Sequence, residues 1–494
     1  MATSYKTPGV YIEEIPKFPP SIAPVETAIP AFIGYTQIAM EKVANDLLLK
    51  PKRISSLVEY EKYFGAAQAE TGINITITET ADTQNNLLSQ DIVAELAETD
   101  RSRHIMYYAM QMFFANGGGP CYIVSVGPHK TLGTPLVLAE LQAGLTALEK
   151  FDEPTLIVFP EAQFLGGAGN PDTGISDFQT LHNDALAQCE SLKDRFVIMD
   201  VHGGVDAGNE PISLSDPDAN LLTAVDNFRT SGIGNNNLKY GASYAPNLDT
   251  ILDYVFDETN TTVVYTLNGA AVAGVTSLSS LLSNNFSQLY EMSKAVIRAL
   301  PCKLPPSSTI AGIYAAVDNS RGVWKAPANV SVNAVIKPSI EFSNIEQDQM
   351  NVDVNAGKSV NAIRPFIGKG TLVWGARTLA GNDNEWRYIS VRRLFIFIEE
   401  SVKKATEPFV FEPNDKNTWV RVQAMIENFL TTLWRQGALQ GIKPEHAFYV
   451  AVGLGKTMTP LDILEGRMII EIGLAAVRPA EFIILKFSHK MAES

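Results

Sequence analysis

Phe113-Phe114-Ala115-Asn116-Gly117-Gly118-Gly119-Pro120-Cys121-Tyr122-Ile123-Val124-Ser125-Val126 reads as the end of a helix, a glycine stop and a buried strand. The helix is an apolar run that begins at Ile105 and ends at Asn116. Glycines placed just beyond it can close it with positive φ. Two further short apolar strands come after it, Thr155-Leu156-Ile157-Val158-Phe159 and Phe196-Val197-Ile198-Met199-Asp200. Helix-like segments lie between the strands, around Glu140–Lys150 and Asp177–Leu192. Strands alternating with helices predict a layered α/β body from about Ala31 to Asp200.

Outside that body the pattern changes. Pro8, Pro16, Pro19, Pro20, Pro24 and Pro30 exclude a helix from the first thirty residues. Between them Gly9-Val10-Tyr11-Ile12-Glu13-Glu14-Ile15 has the composition and length of a strand. A strand on an extended linker buries little alone, so residues 1–30 read as an arm that needs a sheet to join. Residues 201–290 are rich in Gly, Asn, Ser and Thr and read as an inserted, surface-facing module, with a short strand at Thr262–Thr266. Residues 65–90 read as a further exposed loop or small insertion. The body resumes over 291–345.

Residues 346–478 read as a separate C-terminal domain. Val391, Leu394, Phe395, Ile398 and Val402 recur at helical spacing, with Arg392, Arg393 and Glu399 off the stripe. A second helix opens near Asn417 as N-cap and carries Trp419, Val422, Met425, Ile426, Phe429, Leu430, Leu433 and Trp434. Trp386, Leu394, Phe395, Ile398, Trp419, Phe429, Leu433 and Trp434 are the candidate core of this domain. Strands are expected at Ala447–Val452 and Met468–Val477. Residues 479–494 form a second candidate arm, whose Phe482, Ile483, Ile484, Leu485 and Phe487 are apolar on both faces. Strands at both ends of a chain invite pairing with another chain. Ordinary pairing within the molecule is the competing expectation.

The chain has 494 residues, too many for one compact core. With 46% hydrophobic and 19% charged residues it reads as a soluble globular protein, without an apolar run long enough to span a bilayer. The uncharged stretch Thr259–Tyr290 is too rich in Ser, Thr and Asn to do so. No secretory signal is visible at the N-terminus. Cys121, Cys189 and Cys302 are far apart and odd in number, which suits a reducing cytoplasm rather than a disulfide framework. A net charge of −15 argues against a general nucleic-acid binder. Residues 361–494 hold 17 Lys/Arg and 14 Asp/Glu, whereas residues 1–360 hold 22 and 40. An acidic body joined to a mildly basic C-terminal region is consistent with two surfaces that meet different partners.

Catalytic patterns are weak. Gly453-Leu454-Gly455-Lys456-Thr457 resembles the end of a phosphate-binding loop, but position 450 is Val and Pro460 comes soon after. The histidines His104, His129, His182, His202, His446 and His489 show no metal-ligand spacing. Gly166-Gly167-Ala168-Gly169-Asn170-Pro171 is a loop, not a dinucleotide fingerprint. No catalytic residue, cofactor or metal site is expected.

A set of short blocks resembles the tail sheath proteins of contractile phages and phage-like injection systems. They include Thr7-Pro8-Gly9-Val10-Tyr11-Ile12-Glu13-Glu14, Pro30-Ala31-Phe32-Ile33-Gly34, Phe113–Gly118, Pro305-Pro306-Ser307, Ala311-Gly312-Ile313-Tyr314 and Arg321–Asn329. Further on come Asn361-Ala362-Ile363-Arg364, Val373–Leu379, Trp386–Leu394, Phe411-Glu412-Pro413-Asn414 and Pro479-Ala480-Glu481-Phe482-Ile483. Gly455-Lys456-Thr457-Met458-Thr459 is most similar to sheaths of extracellular injection particles.

The resemblance implies an α+β, multidomain subunit of mixed α/β domains with β-strand arms at both ends. It implies a homo-oligomeric helical sheath of stacked hexameric rings that contracts around an inner tube protein, with baseplate and cap or terminator partners. Neither nucleic acid nor stable membrane insertion is implied. Gly9, Val10, Tyr11, Ile12, Glu13, Phe482, Ile483, Ile484, Leu485 and Phe487 would be the inter-subunit strands, and Arg435, Lys443, Lys456 and Arg467 candidate tube-facing charges. The resemblance also implies synthesis and assembly in the bacterial cytoplasm, then incorporation into a phage tail or injection particle. An NTP-binding enzyme using Lys456 and Thr457, or another tail or baseplate component, are the alternatives.

Overall fold

All seven residues of the strand Pro30–Thr36 are buried, and the strand sits inside a nine-stranded sheet. A computed structural model of the chain describes residues 22–84, 86–166, 171–208, 210–353 and 355–484. The order of the large sheet is Val330–Ser331, Gly370–Val373, Val360–Phe366, Gly241–Ala245, Phe196–Asp200, Leu156–Val158, Pro30–Thr36, Cys121–Pro128 and Lys52–Ile54. The strands from Val360–Phe366 to Cys121–Pro128 run parallel, and the others are antiparallel edges. Parallel strands are covered on both faces, which is why Leu156–Val158 and Phe196–Asp200 are wholly buried.

Successive strand residues point to opposite faces, and one pair fixes the layers. Ile33 meets the helix Leu138–Leu148 at Gly144, where an added Cβ would lie 2.5 Å from the Ile33 side chain. Gly34 and Phe32 face the helix Met106–Ala115 instead, with Phe32 edge-on to Phe113 at 5.0 Å. The helix Ser307–Arg321 packs on Met106–Ala115, and Pro171–Leu192 packs on Leu138–Leu148. The sheet is therefore the middle of three layers. The expected glycine stop is present: Gly117 has φ +92°, and the Gly118 amide donates to the Phe113 carbonyl at 3.0 Å.

A second sheet is built from two distant segments. Its order is Ala270–Ala271, Thr262–Leu267, Ile73–Ala81 and Leu87–Leu96. Ile73, Ile75, Ile77, Val263 and Tyr265 form its core with Leu278, Leu281 and Tyr290 from the helices Leu278–Ser283 and Ser287–Arg298. The segment 201–290 is thus divided rather than one module. Gly241–Ala245 is an interior strand of the large sheet, and Thr262–Leu267 pairs with Ile73–Ala81, inside the stretch expected to be a loop. That strand begins on a glycine because a Cβ at Gly241 would lie 3.0 to 3.1 Å from Leu186, Met199 and Leu379.

The chain separates into two compact units, and the division falls inside the helix Ile389–Thr406. The larger contains residues 26–397 and, among the described residues, 478–484. The smaller contains 398–477 with residues 22–25. The boundary thus lies some fifty residues later than the expected start at 346, because Val360–Phe366 and Gly370–Val373 extend the large sheet. Arg392 and Arg393 were expected off the apolar stripe but are buried: Arg392 lies over Tyr240 and Trp386, and Arg393 pairs with Asp318.

In the smaller unit the helix Lys416–Arg435 is capped by Asp415, not Asn417, whose own amide donates to the Asp415 carboxylate at 2.9 Å. Val422, Met425, Ile426, Phe429, Leu430 and Leu433 are its buried face. That helix packs on the strand Phe448–Val452, which pairs antiparallel with Ile470–Leu474.

Candidate assembly surfaces

Residues 478–484 are held to the larger unit at defined points. The Arg478 guanidinium donates to the Asn384 carbonyl at 2.7 Å. Three residues later the Glu481 carboxylate accepts from Arg377 Nε at 2.9 Å, Arg377 Nη2 at 2.7 Å, Asn351 Nδ2 at 2.7 Å and Tyr388 OH at 3.1 Å. Burial opposes its charge, yet the Arg377 and Asn351 donors outweigh this and hold the carboxyl below its ordinary range. Beyond that anchor Phe482, Ile483 and Ile484 are 69%, 80% and 78% exposed. Covering such side chains is worth about 1.5–3 kcal/mol each. Glu481–Ile484 are not in a strand; Leu485 and Phe487 lie outside the described residues, as do Gly9, Val10, Tyr11, Ile12 and Glu13.

The smaller unit offers a sheet edge. Phe448–Val452 and Ile470–Leu474 pair only with each other among the described residues, so each has an outer edge without a strand partner. Such edges accept added strands. Arg435, Lys443, Lys456 and Arg467 are all exposed on this unit. Arg467 contacts Asp462 at 3.1 Å and also Glu465. Exposed Phe411, Ile442 and Leu464 add apolar surface.

The residues expected to form one C-terminal core fall partly in the larger unit and partly in the smaller. Trp386 lies edge-on to Phe395 at 5.0 Å, and Leu394 is buried, all in the larger unit. Ile398, Phe429 and Leu433 are buried in the smaller one. Trp419 and Trp434 are half-buried there and donate to Asn414 Oδ1 at 2.7 Å and the Gly441 carbonyl at 2.9 Å.

The loop that resembles a phosphate cradle is a turn. Thr457 Oγ1 donates to the Ile469 carbonyl at 2.7 Å and accepts from the Gly453 amide at 3.2 Å. Its hydroxyl is committed to the chain, and the next helix, Pro460–Leu464, has only five residues. Elsewhere, Glu161 and His104 lie 3.5 Å apart, an acid–base spacing, but both are buried in the body. A cavity of about 280 Å³ is lined by Glu98, Arg101, Arg103, Gln163 and His202. Arg101 is paired with Glu98, and His202 accepts from the Gly204 amide. Among the described residues no group of three His, Cys, Asp or Glu is placed to hold a metal. No helix there is long and apolar enough to cross a membrane.

Sequence reasoning missed the partners of Glu481. Arg377, Asn351 and Tyr388 are 104, 130 and 93 positions away, and no local spacing joins them.

Several known proteins are similar to this chain. The phage tail sheath C-terminal domain family matches residues 381–490. A chain of the anti-feeding prophage baseplate, solved with six-fold symmetry, is 31% identical over 99% of this chain and 100% of its own length, with a TM-score of 0.61. A chain of the anti-feeding prophage helical sheath in its contracted state is 30% identical, with 99% and 100% covered and a TM-score of 0.61. The tail sheath protein of Vibrio phage KVP40 is 22% identical over 227 residues, 44% of this chain and 31% of that protein. The match thus spans about a third of that curated relative.

Proposed function

This chain belongs to the contractile sheath family of phage tails and extracellular injection systems, and we propose that it polymerises into a helical sheath around an inner tube. The observation that carries the reading is end-to-end similarity, at 30% identity, to a chain of a contracted helical sheath. Its role is structural, as a component of a phage tail or contractile injection particle that assembles with itself and with a baseplate. Synthesis in the bacterial cytoplasm, hexameric rings, and tube and cap proteins as partners complete the proposal.

Contacts that repeat head to tail without closing generate helical filaments. In the proposed cycle the subunits assemble in an extended lattice held by baseplate and tube. Triggering lets the subunits rotate as rigid bodies into tighter packing. The work comes from stored conformational free energy under kinetic control, and drives the tube through a target membrane. The terminal arms extend sheets of neighbouring copies. About 1 kcal/mol per strand hydrogen bond, repeated around a ring, supports a mesh that survives re-packing. The basic residues of the smaller unit face an acidic tube.

Electron microscopy of the purified protein, alone and with tube and baseplate partners, tests this. Wide, striated hollow cylinders are the expected result. Persistent monomers under both conditions contradict it.

A further inference from the structure

The exposed residues Phe482–Ile484 come directly after a carboxylate held by four donor groups, and that juxtaposition has a mechanical meaning. Arg377 is only 6% exposed and meets Glu481 through two nitrogens, the planar geometry that fixes direction as well as distance. Arg377 is itself held. Its amide donates to Asn361 Oδ1 at 2.8 Å, and its carbonyl accepts from Asn361 Nδ2 at 2.8 Å. The same Asn361 nitrogen reaches the Ser243 carbonyl at 3.1 Å, and Asn361 and Ser243 belong to adjacent parallel strands of the large sheet. A continuous path therefore runs from the interior strand Gly241–Ala245 through Asn361 and Arg377 to Glu481.

We propose that Arg377 is the socket of the C-terminal arm, so that the arm begins after Glu481 and any pull on Phe482–Ile484 is delivered to the central sheet. This rests on the sheath reading, in which the arm holds a neighbouring copy. Residues 478–481 then belong to the body, and Phe482–Ile484 lie beyond the anchor, where a partner can take hold. A tether needs a fixed end if neighbouring subunits are to turn without the arm peeling back along its own body. Tyr388 and Asn351 act as positioning residues by filling the remaining acceptor sites of the carboxylate.

The test uses the full chain with Glu481→Ala, with Glu481→Gln, and with deletion of everything after Pro479. Glu481→Ala is expected to leave the unassembled subunit folded but with a lower unfolding temperature, because buried Arg377 loses its counter-charge, to become more sensitive to proteolysis within 478–484, and to assemble roughly tenfold less sheath, as losing a charge-assisted pair worth about 1.5–3 kcal/mol implies. Glu481→Gln, which can still accept hydrogen bonds, should lie between it and the parent. If proteolysis of 478–484 is unchanged in Glu481→Ala, the socket does not hold the segment and the proposal falls. If the deletion blocks assembly while Glu481→Ala assembles normally, the proposal falls and the arm reading stands. Normal sheaths from the deletion would overturn both.

Discussion

The Asp318 carboxylate receives two hydrogen bonds from the Arg393 guanidinium, at 2.5 and 3.1 Å, in a site where both side chains are less than 5% exposed. Arg393 also donates to the Thr27 carbonyl at 2.8 Å and lies over the Tyr314 ring at 4.5 Å. One cation thus joins the chain entering the first strand, the helix Ser307–Arg321 and the helix Ile389–Thr406.

Removing one partner of a buried pair leaves the other charge without compensation, which costs about 3–5 kcal/mol. Asp318→Ala should therefore lower stability by about that amount, read by denaturant unfolding of the unassembled subunit. Replacing both residues together with apolar ones, Asp318→Leu with Arg393→Met, should recover most of the loss. A single substitution costing less than the double would refute the pairing argument.

Asp200 gives a pH signature. Burial pushes its carboxyl up to about 7, although the Ser307 amide and hydroxyl, at 2.7 and 2.6 Å, work against the shift. In the unfolded chain the same group titrates near pH ~4. Between those values the native state binds more protons than the unfolded state, so this group's contribution to stability declines as pH rises from about 4 to about 7 and then levels. Asp200→Asn should therefore gain stability relative to the parent over that window. Half-buried His129 and buried His182 and His202, each lowered to about 4 by desolvation, titrate the other way in both proteins and cancel in the difference. Unfolding free energies from pH 4 to 8 measure it, and a pH-independent difference would refute it.

The layered body was legible in the sequence where apolar runs were short and continuous, as at Cys121–Val126, Leu156–Val158 and Phe196–Asp200. Gly241–Ala245 was not, since Gly-Ala-Ser-Tyr-Ala carries no β-branched signal and is a strand through its pairing with Phe196–Asp200 and Val360–Phe366. The alternation of Ile73, Ile75 and Ile77 with Asn74, Thr76 and Thr78 is a strand pattern, yet it reads locally as a loop because its partner Thr262–Leu267 lies far along the chain. Arg393 looks like a solvated charge in the sequence because its partner Asp318 is 75 positions away. The C-terminal apolar run was visible, but its anchor was not, for the same reason.

Gly144 tests how tightly the layers close. A Cβ there would stand 2.5 Å from Ile33 and 2.7 Å from Val126, both on strands that cannot withdraw without moving the sheet. Gly144→Ala should cost about 1–3 kcal/mol, the usual effect of overpacking, despite the better helix propensity of alanine. The Ile33→Val companion should return part of that loss, because it trims the side chain the new methyl meets. Thermal unfolding of the single and double variants decides the matter, and a stabilised Gly144→Ala would show that the helix shifts freely on the sheet.

The last prediction concerns the exposed cations of the smaller unit. Arg435, Lys443 and Lys456 make no ion pair among the described residues, whereas Arg467 already sits beside Asp462 and Glu465. If this unit faces an acidic tube, the first three supply most of the attraction, at about 0–1 kcal/mol each. Contacts of that size suit a surface that must release as the sheath shortens. Reversing Arg435, Lys443 and Lys456 to Glu should weaken tube co-sedimentation more than reversing Arg467 alone. It should also abolish the decline in binding that added salt causes in the parent, since screening acts on exposed pairs. Sheath assembly without the tube should be unaffected. Equal tube binding by parent and triple variant at low salt would exclude an electrostatic tube contact at these residues.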